Sequence, residues 1–386
     1  MRRLLYLSSD PGVPVLGHKG ASVHVRALVR AFAGAGVSVV VASPRVEAEG
    51  DTLDAPTELV EIDPVVPGRY GDVGSVRATM DAQAAQIDEV ARAWQADAIY
   101  ERYSLFSDGG VRAAHRHGLP HLLEVNAPLR DEARRFRSLP YPEEAAEVEA
   151  RVFAATDRLI AVSGPLAGWL VSVGVERERI EVVPNGVDPR QFSPPQRRSG
   201  GPFVVGFAGS LKPWHGVELL LNAFSRARET VPQLRLEIVG SGPSLPPVEQ
   251  AAALAANIVL HGPLPHQETI RLMSGWDVGV APYLPLPDFY FSPLKLVEYM
   301  AAGLCPVASE LGQIGVLLGG GARGVLVRAG DMSELAGALV ELAADRPRAH
   351  EIGGRARAWA FSELTWERNA RRALEMLGAR ESVGAR

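Results

Sequence analysis

In the stretch Asp288-Phe-Tyr-Phe-Ser-Pro-Leu-Lys-Leu-Val-Glu-Tyr-Met-Ala-Ala-Gly303, one cation and one carboxylate stand three residues apart beside a helix start. Ser292 suits an N-cap, Pro293 a first helical position, and Gly303 a helix end. Leu294, Val297 and Ala301 then share one face, which leaves Lys295 and Glu298 together on another. A helix N-terminus carries unpaired N–H groups and partial positive charge, so it can hold a diphosphate without metal, with Lys295 adding a full charge. Glu298, one turn on, is placed to accept from ribose hydroxyls. Spacing alone fits an ordinary capped helix with an exposed Lys295–Glu298 pair equally well.

A second stretch, Phe207-Ala-Gly-Ser-Leu-Lys-Pro-Trp-His-Gly216, is a Gly-rich strand-to-helix turn of the kind that lets backbone approach phosphate. Lys212 or His215 would supply charge to a leaving group there; the competing reading is a plain turn with a solvated lysine. Near the N-terminus, the loop Gly12 to Ser22 offers Gly17, Gly20 and Lys19 to a phosphate, or is simply a structural turn. Glu101 and Asn126 end strands where open α/β sheets bind ligands, and are expected to meet the acceptor. Glu124 would orient an acceptor hydroxyl or act as base, with a loop-capping role as the alternative. His115, His117 and His121 lack companion carboxylates, and no Asp-x-Asp pair is present to hold a diphosphate through a divalent ion, so metal-independent chemistry is expected. The cluster Arg130, Arg134, Arg135 and Arg137 precedes the acidic run Glu143, Glu144, Glu147 and Glu149; it would form a self-paired face or touch anionic lipid.

These residues are carried by alternating strand and helix patterns. Apolar runs at Leu4 to Ser8, Val37 to Ala42, Ala98 to Tyr100, His121 to Val125, Leu159 to Val162 and Ile180 to Val183 read as strands of a parallel sheet covered by helices. After the Pro-, Gly- and Ser-rich linker Ser193 to Pro202 the series restarts at Phe203 to Phe207 and continues through Leu236 to Val239, Ile258 to Leu260, Val278 to Ala281, Pro306 to Ala308 and Gly324 to Val327. Val25, Leu28, Val29, Phe32 and Val217, Leu220, Leu221, Phe224 put an amphipathic helix after each opening strand. The division expected is an α/β domain over 1–190, a second α/β domain over 200–361, and a C-terminal helix over 362–386 that packs on either. Two domains fit the 386-residue length. Hydrophobic residues make up 47%, yet no run of about 18 apolar residues suggests a membrane span. The net charge of -5 disfavours a general nucleic-acid binder. The single cysteine, Cys305, reads as a small buried residue, in keeping with a reducing cytoplasm.

The 288–303 stretch resembles the nucleotide-sugar motif of the retaining glycosyltransferases of family 4, written there as Glu, seven residues, Glu, then a Met-Ala-x-Gly helix end. Further resemblance lies in Ala161-Val-Ser-Gly-Pro, Val183-Pro-Asn-Gly-Val-Asp188, Ile238-Val-Gly-Ser-Gly242, His261-Gly-Pro and Ser362-Glu-Leu-Thr-Trp-Glu367. It implies α/β architecture of the GT-B type, two facing Rossmann-like domains with an interdomain cleft, and hexosyl transfer from a nucleotide diphosphate sugar to a hydroxyl acceptor with retention. Glu298 falls on the ribose-binding glutamate. Tyr290 replaces the first glutamate, which usually meets sugar hydroxyls, with Asp288 as the nearest substitute. Ser210 and His215 stand at the arginine and lysine positions of the family's phosphate loop, beside Gly209, and Asn126 stands where a histidine is common. Gly240, Gly262 and Leu264 would border the base; Ser292, Pro293, Leu294 and Lys295 would meet the phosphates. No cofactor is implied, the nucleotide sugar being a substrate. The same architecture also admits a nucleotide-sugar epimerase or a weakly active donor-binding partner subunit.

Overall fold

A computed structural model describes residues 1–17, 20–46, 53, 57–196 and 200–378. Lys19 and linker residues 197–199 therefore lie outside the described residues. The chain divides into two units, Met1–Pro184 with Trp366–Arg386, and Asn185–Thr365.

In the N-terminal unit, strands β1 (Arg3–Ser8), β2 (Ser38–Ser43), β3 (Thr57–Glu61), β4 (Ala98–Arg102), β5 (His121–Val125), β6 (Arg158–Ala161) and β7 (Ile180–Val182) form one sheet in the order β3-β2-β1-β4-β5-β6-β7. Every pairing is parallel. Its helices are α1 (Gly20–Gly34), α2 (Val73–Trp94), α3 (Gly109–His117), α4 (Leu129–Phe136), α5 (Pro142–Ala155) and α6 (Gly164–Ser172). Leu4, Leu5, Tyr6 and Leu7 of β1 are all buried, as expected of a central parallel strand covered on both faces. By contrast β3, sequence Thr-Glu-Leu-Val-Glu, is an edge strand with partly exposed side chains. Its two acids break the apolar run, which is why the sequence pattern did not disclose it.

The C-terminal unit holds β8 (Val204–Ala208), β9 (Arg235–Val239), β10 (Ile258–Gly262), β11 (Val278–Ala281), β12 (Cys305–Ser309) and β13 (Val325–Val327), again parallel, in the order β10-β9-β8-β11-β12-β13. Around it lie α7 (Val217–Thr230), α8 (Leu245–Leu254), α9 (His266–Met273), α10 (Leu294–Ala302), α11 (Ile314–Leu317), α12 (Met332–Ala344) and α13 (Arg346–Glu363). Val205, Phe207, Leu220, Phe224 and Leu339 fill one face of this sheet, while Val204, Ala208, Val297, Tyr299 and Met300 fill the other. The last helix, α14 (Trp366–Gly378), belongs to the N-terminal unit, where Trp366 packs edge-on against His24 with ring centroids 4.8 Å apart.

In both units strand order reverses beside the opening strand, between β1 and β4 and between β8 and β11. Crevices for ligands form at the carboxyl ends of strands at such switch points, because the connections leave in opposite directions there.

Candidate functional site

In the C-terminal unit the loop leaving β8 is built from backbone. Gly209 donates to the Val239 carbonyl at 3.0 Å, Leu211 to the Ser241 carbonyl at 2.9 Å, and Gly240 to the Gly262 carbonyl at 2.8 Å, so three strand ends are laced together. A Cβ at Gly240 would stand 1.9 Å from the Gly209 carbonyl oxygen, at φ +136°. Only glycine fits.

Above this loop starts α10, in a way that corrects part of the sequence expectation. Pro293, extended at φ -74° and ψ 107°, is the N-cap position, and the helix begins at Leu294. Ser292 does not cap: its hydroxyl accepts from the Asn185 N–H at 2.9 Å, and its carbonyl accepts from the Asn185 side-chain amide at 2.7 Å. Because Ser292 serves Asn185, the first N–H groups of α10 have no side-chain cap. Gly303 ends the helix in left-handed geometry, φ 78°.

Lys295 reaches from the first turn towards Gly209, whose added Cβ would be 2.9 Å from Nζ. Nζ is buried, lies 4.2 Å from the Phe207 ring centroid and 5.5 Å from that of Tyr283, and has no hydrogen-bond partner. The residue as a whole is partly exposed although the amine is not. Burial, only partly offset by Glu298, pulls its pKa down to about 7.

His215 stands on the same side. Its Nδ1 faces the Ser210 carbonyl, which can only accept, so Nδ1 carries the proton and Nε2 is bare. Burial first, then Lys295, lower its pKa to about 3. The expected phosphate-binding cation at His215 is therefore corrected: at neutral pH the imidazole is uncharged. Lys212 is exposed, its amine 4.9 Å from the Trp214 ring centroid.

Glu298 does not pair with Lys295. Its Oε1 is 2.7 Å from His266 Nε2 at the start of α9, a contact the sequence reading missed because the two residues are 32 positions apart. Leu264 packs against the unit's core in the same β10–α9 connection, after Gly262. Asp288 is exposed, whereas Tyr290 is buried with its ring 4.5 Å from that of Phe291. Asp288 and Tyr290 thus stand in different surroundings, the carboxylate at the surface and the phenol ring packed inside.

The N-terminal unit corrects two further expectations. Glu101, 1% exposed, is 2.9 Å from His121 Nε2 and lies against Gly110 of α3, so it is sealed from any acceptor. Burial raises its pKa, and His121 opposes the shift. Glu124 is 2.8 Å from His24 Nε2 and 3.7 Å from Arg102 Nη1. Burial alone would raise its pKa, but His24, then Arg102 and the Asn126 amide, outweigh it and hold the carboxyl below its ordinary value. A buried carboxylate held below its ordinary pKa by a histidine and an arginine is a poor base; Glu124 anchors the ends of β4 and β5 to α1. His24 was missed, since nothing in the α1 pattern distinguishes it from a core residue. Asn126, half-buried at the end of β5, keeps a place at the sheet's carboxyl edge. Gly17 closes a turn with its carbonyl bound by Arg26, and Gly20 opens α1.

Of the histidines weighed as metal ligands, His117 pairs with Asp88 at 2.9 Å and His121 with Glu101. The basic cluster is partly self-paired: Arg130 to Glu149 at 2.8 Å and Arg137 to Glu132 at 3.3 Å. Among the described residues no helix is long and apolar enough to cross a membrane. Cys305 is buried, which pushes its thiol up to about 12.

Residues 18–191 match the family model described as Glycosyltransferase Family 4, and residues 202–345 match that of Glycosyl transferases group 1. A D-inositol 3-phosphate glycosyltransferase of Stackebrandtia nassauensis is 27% identical over 96% of this chain and 88% of the relative. That of Acidothermus cellulolyticus is 31% identical over 67% and 62%. Among solved structures, a sucrose-phosphate synthase from Thermosynechococcus elongatus superposes with a TM-score of 0.75 at 19% identity, covering 100% of both chains. Anabaena HepE, in complex with UDP and glucose, gives 0.74 at 19% identity over 98% of this chain and 100% of its own. Neither the epimerase nor the partner-subunit alternative gains support from these relatives. With both halves matched and the parallel α/β units in place, the chain belongs to the family 4, group 1 glycosyltransferases of GT-B architecture, enzymes that transfer sugar from nucleotide-sugar donors.

Proposed function

We propose that the chain is a retaining, metal-independent hexosyltransferase that takes a UDP-sugar in its C-terminal unit and a hydroxyl acceptor recognised by its N-terminal unit. The buried, unpartnered Lys295 amine, aimed at the Gly209 loop beside the uncapped start of α10, carries the reading. A diphosphate would satisfy both at once: helix N–H groups and the ammonium neutralise the charge that grows on the leaving group as the sugar departs. Because the chain supplies this positive charge itself, a divalent ion is not required. Glu298 accepts from the ribose, and Gly240, Gly262 and Leu264 border the base. His215, neutral with Nε2 bare, is suited to accept from a sugar hydroxyl rather than to bind phosphate. The choice of UDP is supported by the ligand of HepE, and retention by family membership.

The test is titration calorimetry with UDP, GDP, ADP and TDP in EDTA, followed by NMR of the product's anomeric proton with the matching donor. Tight UDP binding without metal and a retained configuration are expected. Binding that needs Mg²⁺, or selects another base, would refute the corresponding part.

A further inference from the structure

Glu298 has a task that depends on orientation. A carboxylate that receives two neighbouring hydroxyls must present its oxygens in a fixed plane, and a glutamate with several rotatable bonds does not hold that plane unaided. The 2.7 Å contact from His266 Nε2 to Oε1 restricts it. Since the carboxylate accepts, Nε2 is the donor. His266 itself stands on rigid backbone: it is the first residue of α9, preceded by Pro265, whose carbonyl accepts from the Thr269 N–H at 3.0 Å. Both side chains keep some access to solvent, 33% for His266 and 15% for Glu298, so the pair borders an opening rather than the core. The connection that carries His266 also carries Gly262 and Leu264, and Gly262 is tied to the β8 loop through Gly240.

We infer that His266 is a positioning residue for the donor ribose: by holding Oε1 of Glu298 it turns the other carboxylate oxygen and the remaining lone pairs towards the 2′- and 3′-hydroxyls of the nucleotide. One connection, β10 to α9, thereby sets both the border of the base and the orientation of the ribose acceptor. This rests on the donor-site reading above, and supplies a residue and a role beyond it.

The experiment compares UDP with 2′,3′-dideoxy-UDP by calorimetry in the wild type, His266→Ala, His266→Gln and Glu298→Ala, with donor KM and kcat measured alongside. His266→Ala is expected to weaken UDP about 10-fold while leaving the dideoxy nucleotide unchanged, and to raise donor KM with little loss of kcat. His266→Gln, which keeps an N–H donor of similar reach, restores part of the UDP preference. Equal weakening of both nucleotides by His266→Ala, or no weakening of either, overturns the inference even where Glu298→Ala abolishes the preference. If Glu298→Ala itself keeps the wild-type preference for UDP, the donor-site reading fails, and the role of His266 fails with it.

Discussion

Replacing Lys295 by methionine should make the protein more stable and less able to bind its donor. The amine's pKa of about 7 lies well below the 10.5 of an unperturbed lysine because Nζ is buried against Phe207 and Tyr283 without a partner. Below pH 7 the folded protein carries this charge at full cost. Between pH 7 and about 10.5 the unfolded chain binds a proton that the folded one does not, so stability rises with pH through that window. At about 1.4 kcal/mol per pH unit the full shift corresponds to about 5 kcal/mol, and relaxation of the surroundings around the buried charge leaves about 2–3 kcal/mol. Lys295→Met keeps the stem and removes the charge, so at pH 6.5 the C-terminal unit should melt roughly 5–10 °C higher, with the gain shrinking towards pH 10. UDP binding should fall about 10–100-fold, the worth of a charge-assisted contact in a buried site, while uridine binds as before. In the wild type, UDP affinity should decline as pH rises above 7, because the anion raises the lysine's pKa and the complex holds one proton more; calorimetry in buffers of different ionisation enthalpy reads this uptake directly. The methionine variant corrects for the titration of UDP itself. A variant that melts at or below the wild-type temperature and still binds UDP would refute both the buried charge and its phosphate role.

Gly240→Ala should destabilise the C-terminal unit by about 2 kcal/mol or more and weaken UDP together with uridine, since the new Cβ meets the Gly209 carbonyl and displaces the loop; urea unfolding with calorimetry tests this, and wild-type values in both would count against the backbone lacing. Glu101→Ala leaves His121 buried without its partner and should cost the N-terminal unit about 3 kcal/mol, with kcat/KM per folded molecule unchanged; a selective rise in acceptor KM without loss of stability would restore Glu101 to the acceptor site.

Much of the architecture was legible because parallel strands buried on both faces must be apolar runs, and the helices that cover them must carry a 3.6-residue stripe. Leu4 to Ser8 and Phe203 to Phe207 announced the central strands of the two sheets in this way. The edge strand β3 escaped because an exposed edge places no such demand on Thr57 to Glu61. That Lys295 and Glu298 stand on one helix, close to its start, was also legible, since their spacing is local and follows from the helix period.

What the sequence could not state is which atoms find partners across the fold. Ser292 is a good cap by type, but Asn185 claims its hydroxyl, a competition between residues 107 positions apart. Glu101 and Glu124 both end strands, yet packing seals the first against His121 and binds the second to His24 and Arg102. His215 reads as a cation until burial and Lys295 discharge it. Local pattern by itself determined where chain elements begin, which faces they bury and which residues stand at sheet ends. Only the tertiary structure decided the charge states and partners, because these depend on desolvation and on contacts between residues far apart in the chain.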